Sequence, residues 1–109
     1  MSVGMICQGR HDNGNGAMHG GMICTLADIG LGKAVRLLRN RDRPPDAAVT
    51  ISATIQLDVS FCGRIGVGDF VCTQAIIKSM SRSLTFAQGE LRVGDRTVAT
   101  MQGVFKVIR

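Results

Sequence analysis

From Gly20 to Arg39 the chain runs without a proline, and most of its side chains are apolar. Met22, Ile23, Leu26, Ala27, Leu31, Ala34, Val35 and Leu38 recur at helical spacing, and Ile29 and Leu37 widen the stripe. A helix apolar on so many sides is stable only when it is surrounded, so the rest of the chain has to wrap it. Gly30 and Gly32 each cost about 1 kcal/mol of helix propensity relative to alanine, which is understandable where a sheet passes close. The helix ends among Arg36, Arg39, Arg41 and Arg43 before Pro44 and Pro45 forbid its continuation. Cations there complement the helix dipole; the alternative is that one or two of them face a phosphate.

The wrapping material follows. Val49, Ile51, Ala53, Ile55, Leu57, Val59 and Phe61 alternate with Thr50, Ser52, Thr54, Gln56, Asp58 and Ser60, the pattern of a half-buried antiparallel strand. Residues 63–68 read as a turn and Asp69 to Met80 as a second strand. Ser81 to Ser83 turn again, and Leu84 to Val93 pairs with Thr97 to Ile108 in a hairpin across Gly94-Asp95, where glycine can take a positive φ. Ser2 to Gln8 is a possible strand fragment. One helix followed by four strands makes the class α+β with an antiparallel sheet.

The helix is fed by a glycine-rich loop, Asn13 to Gly21 (NGNGAMHGG). Glycines let a backbone approach a ligand, and the first turn of a helix carries unpaired N–H groups that attract negative charge. One carboxylate, Asp28, interrupts the apolar stretch, and it would be costly to bury without purpose; the plain alternative is a helix aspartate paired with an arginine or turned to solvent. Asp28 lies eight residues beyond Gly20, roughly 12 Å along the axis. One carbonyl group cannot touch both within one chain. If both act on one substrate, the carboxylate comes from a second copy of the helix running antiparallel across a two-fold axis.

With 109 residues, the chain reads as a single domain, 1–109, able to bury a modest core. It is 45% hydrophobic and 19% charged, which excludes a disordered chain. Its four aromatics are all phenylalanine, too few for a nucleic-acid stacking surface, so no nucleic-acid partner is expected. No apolar run is long enough for a membrane span, and no signal peptide is evident. Cys7, Cys24, Cys62 and Cys72 show no C-x-x-C pair, which favours reduced thiols and a cytoplasmic protein. The net charge of +5 implies an anionic partner. His11, Asp12 and His19 lack the spacing of a metal site, and no metal is expected.

Asn13, the HGG of His19, Gly20 and Gly21, and Asp28 nine residues after the histidine resemble the hotdog-fold acyl-CoA thioesterases. The branch is that of the 4-hydroxybenzoyl-CoA thioesterase superfamily which includes the phenylacetate-pathway enzyme. The long alternating strand, Gly68-Asp69, Arg82 to Phe86 and Gly103 to Lys106 agree with it. The resemblance extends from about His11 onward; against the family pattern the N-terminal helix and strand look cut short. It implies a hotdog fold, an antiparallel sheet wrapped around one long central helix. It also implies hydrolysis of an acyl-CoA thioester to free acid and CoA by a homodimer or dimer of dimers. Coenzyme A enters as part of the substrate, and no cofactor is needed.

A thioester is already activated, so hydrolysis chiefly needs a carboxylate and donors for the developing oxyanion. By resemblance Gly20 supplies a backbone N–H and Asn13 a side-chain amide, while Asp28 of the second chain is the general base or nucleophile. His19 is a second candidate base, although a histidine beside glycines often orients the backbone. Gly21, Arg82, Ser83 and Lys106 are the expected substrate-binding residues, the last three for the CoA phosphates. Asn15 competes with Asn13, and Gly63 stands where the family places a hydroxyl, with Ser60 a possible substitute. Met18, Met22, Met80 and Met101 either line an acyl pocket or fill the core. The rival readings are a non-catalytic acyl-CoA-binding hotdog protein and a hotdog enoyl-CoA hydratase or dehydratase.

Overall fold

The computed structural model describes residues 2–108. The proline-free stretch forms one helix, α1, Gly20–Asn40. Around it run β1, Gly4–Ile6; β2, Ser52–Phe61; β3, Phe70–Met80; β4, Leu84–Val93; and β5, Arg96–Val107. They form one antiparallel sheet in the order β1-β3-β4-β5-β2, so the strand that follows the helix crosses to the far edge. The β4–β5 turn uses Gly94 at φ 60°, as its sequence requires.

The helix buries one face: Ile23, Leu26, Ala27, Gly30, Leu31, Ala34 and Val35 pack on the sheet. They meet Val71, Leu91, Val98, Met101 and Phe105 in a core that also takes Met18 from the loop. At Gly30 a Cβ atom would lie 2.6–2.7 Å from the Thr73 side chain, so helix and β3 approach as only glycine allows. Gly32 is under no such constraint; a Cβ there would meet Phe105 at an ordinary 3.7 Å. Ile29 and Leu37 correct the expectation of a widened buried stripe, since within one chain they are 43% and 56% exposed. Their side of α1 has no sheet over it. The exposed Lys33 and Arg36 stand on it between them.

The second correction concerns β2. Pairing with β5 slips between Thr54 and Gln56, leaving Ile55 as the extra residue of a bulge. Because side chains alternate with period two, one extra residue exchanges the faces. After the bulge Leu57, Val59 and Phe61 share the helix-facing side with Gly103, Met101 and Ala99. Before it that side belongs to Ser52 and Thr54, opposite Val107 and Phe105. Ile55, expected to point with the core set, is 56% exposed. Val49 to Ile51 precede the strand; there the Asn40 side chain accepts from the Thr50 N–H at 2.7 Å and donates to its carbonyl at 3.0 Å.

Candidate active site at the start of the helix

The loop before α1 is tied down by its own polar side chains. Asp12 Oδ1 accepts from the N–H groups of Gly14 and Gly16 at 3.0 and 2.8 Å. Asn13 Oδ1 accepts from the Asn15 N–H at 2.8 Å, which fixes the amide of this exposed residue and leaves its NH₂ without an acceptor among the described residues. Arg64 donates to the Gly16 carbonyl at 3.0 Å, and Met18 N–H to the Ile65 carbonyl at 2.7 Å. Three polar residues weighed as metal ligands thus serve the backbone: Asp12 here, His11 through Nδ1 accepting from Gln8 N–H at 2.9 Å, and His19 at the helix cap.

His19 is the N-cap of α1, and its ring Nδ1 accepts from the Gly21 N–H at 2.8 Å. Met22 and Ile23 donate to the His19 carbonyl. Of the two glycines that open the helix, Gly21 therefore has its donor engaged, whereas the Gly20 N–H has no acceptor among the described residues. The Phe61 ring stands beside it, 3.6 Å from where a Cβ on Gly20 would be, and is 56% exposed. A free backbone donor at the positive end of a helix, next to an aromatic wall, can hold a carbonyl oxygen as charge builds on it.

Two turns further on, Asp28 is part-buried, and its Oδ1 accepts from the Thr54 hydroxyl at 2.7 Å. It forms no ion pair with any described residue; the cation alternative is not realised. Thr54 went unnoticed in the sequence because the alternation assigned it to the far face. Only the bulge at Ile55 brings it to the helix, and nothing in the local composition marks that bulge. Asn13, His19, Gly20 and Gly21 gather at one end of α1, and Asp28 lies on the same helix, away from them. Arg82, Ser83 and Lys106 gather at the other end. Arg39 there donates to the carbonyls of Ser81 and Leu84 at 2.7 and 2.9 Å, and Lys106 pairs with Leu84 across the sheet. Gly20 and Arg39 are roughly 28 Å apart along the helix axis. One chain does not bring the two groups together.

Other candidates fall into structural positions. Met18 and Met101 are core residues, while Met80 is 49% exposed at the distant turn. A Cβ at Gly63 would lie 3.1 Å from Val98 Cα and 3.2 Å from the Thr97 carbonyl oxygen, so a hydroxyl residue could enter there only if β5 gave way. Ser60 pairs with Thr100 on the face away from the helix. The four cysteines are unpaired, and burial, followed by the charges of Asp12 and Asp69, pushes the Cys7 thiol upward, away from reactivity. No helix among the described residues is long and apolar enough to cross a membrane.

Comparison with known proteins agrees with this architecture. A Pseudomonas aeruginosa protein whose name describes a proposed esterase is 38% identical over 96 residues, 88% of this chain and 66% of its own length. The chain thus spans slightly less than two thirds of that relative. Among solved structures, the Escherichia coli PaaI protein of the phenylacetic acid degradation operon superposes with a TM-score of 0.86 at 19% identity, covering 99% of this chain and 72% of that one. A Bacillus halodurans protein crystallised with CoA gives 0.82 at 24% identity, covering 98% and 66%. These likenesses establish the hotdog fold. The family model described as the thioesterase superfamily matches residues 15–100, and with one long helix in a curled antiparallel sheet, the chain belongs to that superfamily.

Proposed function

We propose that the protein hydrolyses an acyl-CoA thioester, and that each working centre is assembled from two copies of the chain. The observation that carries this reading is the division of labour between the two helix-opening glycines: His19 takes the Gly21 donor, leaving that of Gly20 for a ligand. The thioester oxygen is held by the Gly20 N–H, with the exposed amide of Asn13 as second donor. Asp28 of the other copy, oriented by its Thr54, removes a proton from the attacking water or attacks the carbonyl carbon itself. The tetrahedral intermediate collapses by breaking the C–S bond. CoA departs as the thiolate and takes up a proton, and the acid is released, in the nucleophilic variant after water opens the anhydride.

The roughly 12 Å between Gly20 and Asp28 on one helix supports a two-chain centre. So do the uncovered Ile29 and Leu37 and the position of β2 at a sheet edge, which can pair with another copy. In an antiparallel pair with Gly20 opposite Asp28, the neighbour's Arg39 end comes to the loop side of the site. Arg82, Ser83 and Lys106 are then placed for CoA phosphates well beyond the thioester. His19 is a positioning residue in this scheme, and Gly21 shapes the helix start without donating.

A panel of acyl-CoA esters assayed by thiol release tests the proposal, with Asp28→Asn as the decisive variant. Turnover by the native protein, lost in the folded variant, is the expected result. Unchanged turnover in Asp28→Asn, or tight binding of every ester with no thiol released, would overturn it.

A further inference from the structure

Beyond Asp28 the helix and β2 enclose a cleft of about 250 Å³ lined by Ile29, Gly32, Lys33, Arg36, Ser52 and Phe105, among others. Its floor contains an unusual feature. The Ser52 hydroxyl is buried and has no hydrogen-bond partner among the described residues. A buried hydroxyl without a partner is costly, and its presence at the wall of an open cleft points to something that enters and satisfies it.

The cations at the cleft are also unengaged. Along the basic second half of α1 and the turn after it, Arg39 is held by four oxygen atoms of the β3–β4 turn and the start of β4, Arg41 lies 3.6 Å from Asp42, and Arg43 donates to the Ala47 carbonyl at 2.6 Å. Lys33 and Arg36 make no side-chain hydrogen bond or ion pair with any described residue, and both line the cleft with Ser52. With Ile29 they occupy successive turns of one helix stripe, at positions i, i+4 and i+7. One unpaired hydroxyl and two unpaired cations against Ile29 and Phe105 match a ligand with a short apolar body and an anionic end.

Distance identifies which part of the substrate this is. Ser52 is two residues from Thr54 on one face of the strand, roughly 7 Å, and Gly32 is one helical turn from Asp28, roughly 6 Å. A group bound there is a few bonds from a carbonyl carbon at Asp28. The diphosphate of CoA, held off by the long pantetheine arm, is not. We infer that the Ser52–Lys33–Arg36 cleft receives a terminal carboxylate on the acyl group, so that the preferred substrates are thioesters of short dicarboxylic acids. The inference rests on the function proposed above and adds the substrate class.

Glutaryl-CoA and pentanoyl-CoA have the same number of acyl carbons and differ at the far end, which makes their kcat/KM ratio the measurement. We expect the native protein to favour glutaryl-CoA by about tenfold or more, as charge-assisted hydrogen bonds would give. The ratio should fall toward unity in Ser52→Ala and in Lys33→Met/Arg36→Met. A native ratio at or below unity overturns the inference, as does a ratio that survives both variants. So does a loss in Lys33→Met/Arg36→Met that is equal for both CoA esters and vanishes with the corresponding pantetheine esters, since the cations would then be reading CoA phosphates. Thermal stabilisation by the two esters separates this outcome from failure of the hydrolase reading. Greater stabilisation by glutaryl-CoA, removed by the cation substitutions, upholds the cleft even where no thiol is released, and equal stabilisation sinks it.

Discussion

The two ends of α1 are made from similar materials and finished differently. At the C-terminal end three polar side chains are closed off: Arg39 against the oxygens of Ser81, Arg82, Leu84 and Thr85, Asn40 against Thr50, and Arg43 against Ala47. At the N-terminal end the loop is just as heavily bonded, yet one donor, the Gly20 N–H, is left over beside an exposed phenylalanine. Both ends are ordered by hydrogen bonds; only the first turn of the helix keeps a main-chain donor in reserve. Reaction chemistry belongs where rigid surroundings leave such a donor open, whereas the bonds of Arg39, Asn40 and Arg43 serve stability.

That contrast can be broken most directly at Asp28. Asp28→Asn should lower kcat by about a thousandfold, the typical contribution of a positioned base, while thermal unfolding stays within a degree or two of the native protein. A comparable loss of stability would mean that the carboxylate is structural. Arg39→Ala should do the reverse, lowering stability by about 2 kcal/mol through loss of charged hydrogen bonds and leaving kcat intact, as denaturant melts with parallel kinetics would reveal. Thr54→Val keeps shape but removes the hydroxyl that orients Asp28; we expect kcat to drop about tenfold, with KM little changed. The smallest effect should come from His19→Ala. Loss of the cap costs about 1 kcal/mol of stability and frees the Gly21 N–H, which sharpens the comparison if stability falls while kcat changes less than in Thr54→Val.

Much of this was legible in the chain. Pro44 and Pro45 lie just beyond the end of the helix and the glycine-rich loop fixes its start, because those residues restrict or free the backbone wherever they occur. Gly94-Asp95 marked the hairpin for the same reason, and Gly30 announced a close approach that Thr73 confirms. The bulge was hidden because Ala53, Ile55 and Leu57 continue the apolar rhythm straight through it, so the face exchange that delivers Thr54 and Ser52 is decided by pairing with β5, not by local preference. Which glycine keeps its donor was also out of reach, since it depends on where the His19 ring turns. Ile29 and Leu37 were legible as apolar but not as uncovered, because periodicity says which residues share a side and not what lies against it.

The irregularity in β2 also bears on how such a chain can vary. A slip that paired Ile55 with Phe105 would smooth the strand and turn Ile55, Ala53 and Ile51 toward the helix in place of Thr54 and Ser52. Asp28 would lose its companion and the neighbouring hollow would become greasy. Deleting Ile55 would instead leave Thr54 opposite Phe105 and Gln56 opposite Val104, so the frame-preserving loss of that single codon would straighten the strand and spare both hydroxyls, without disturbing the order of the strands.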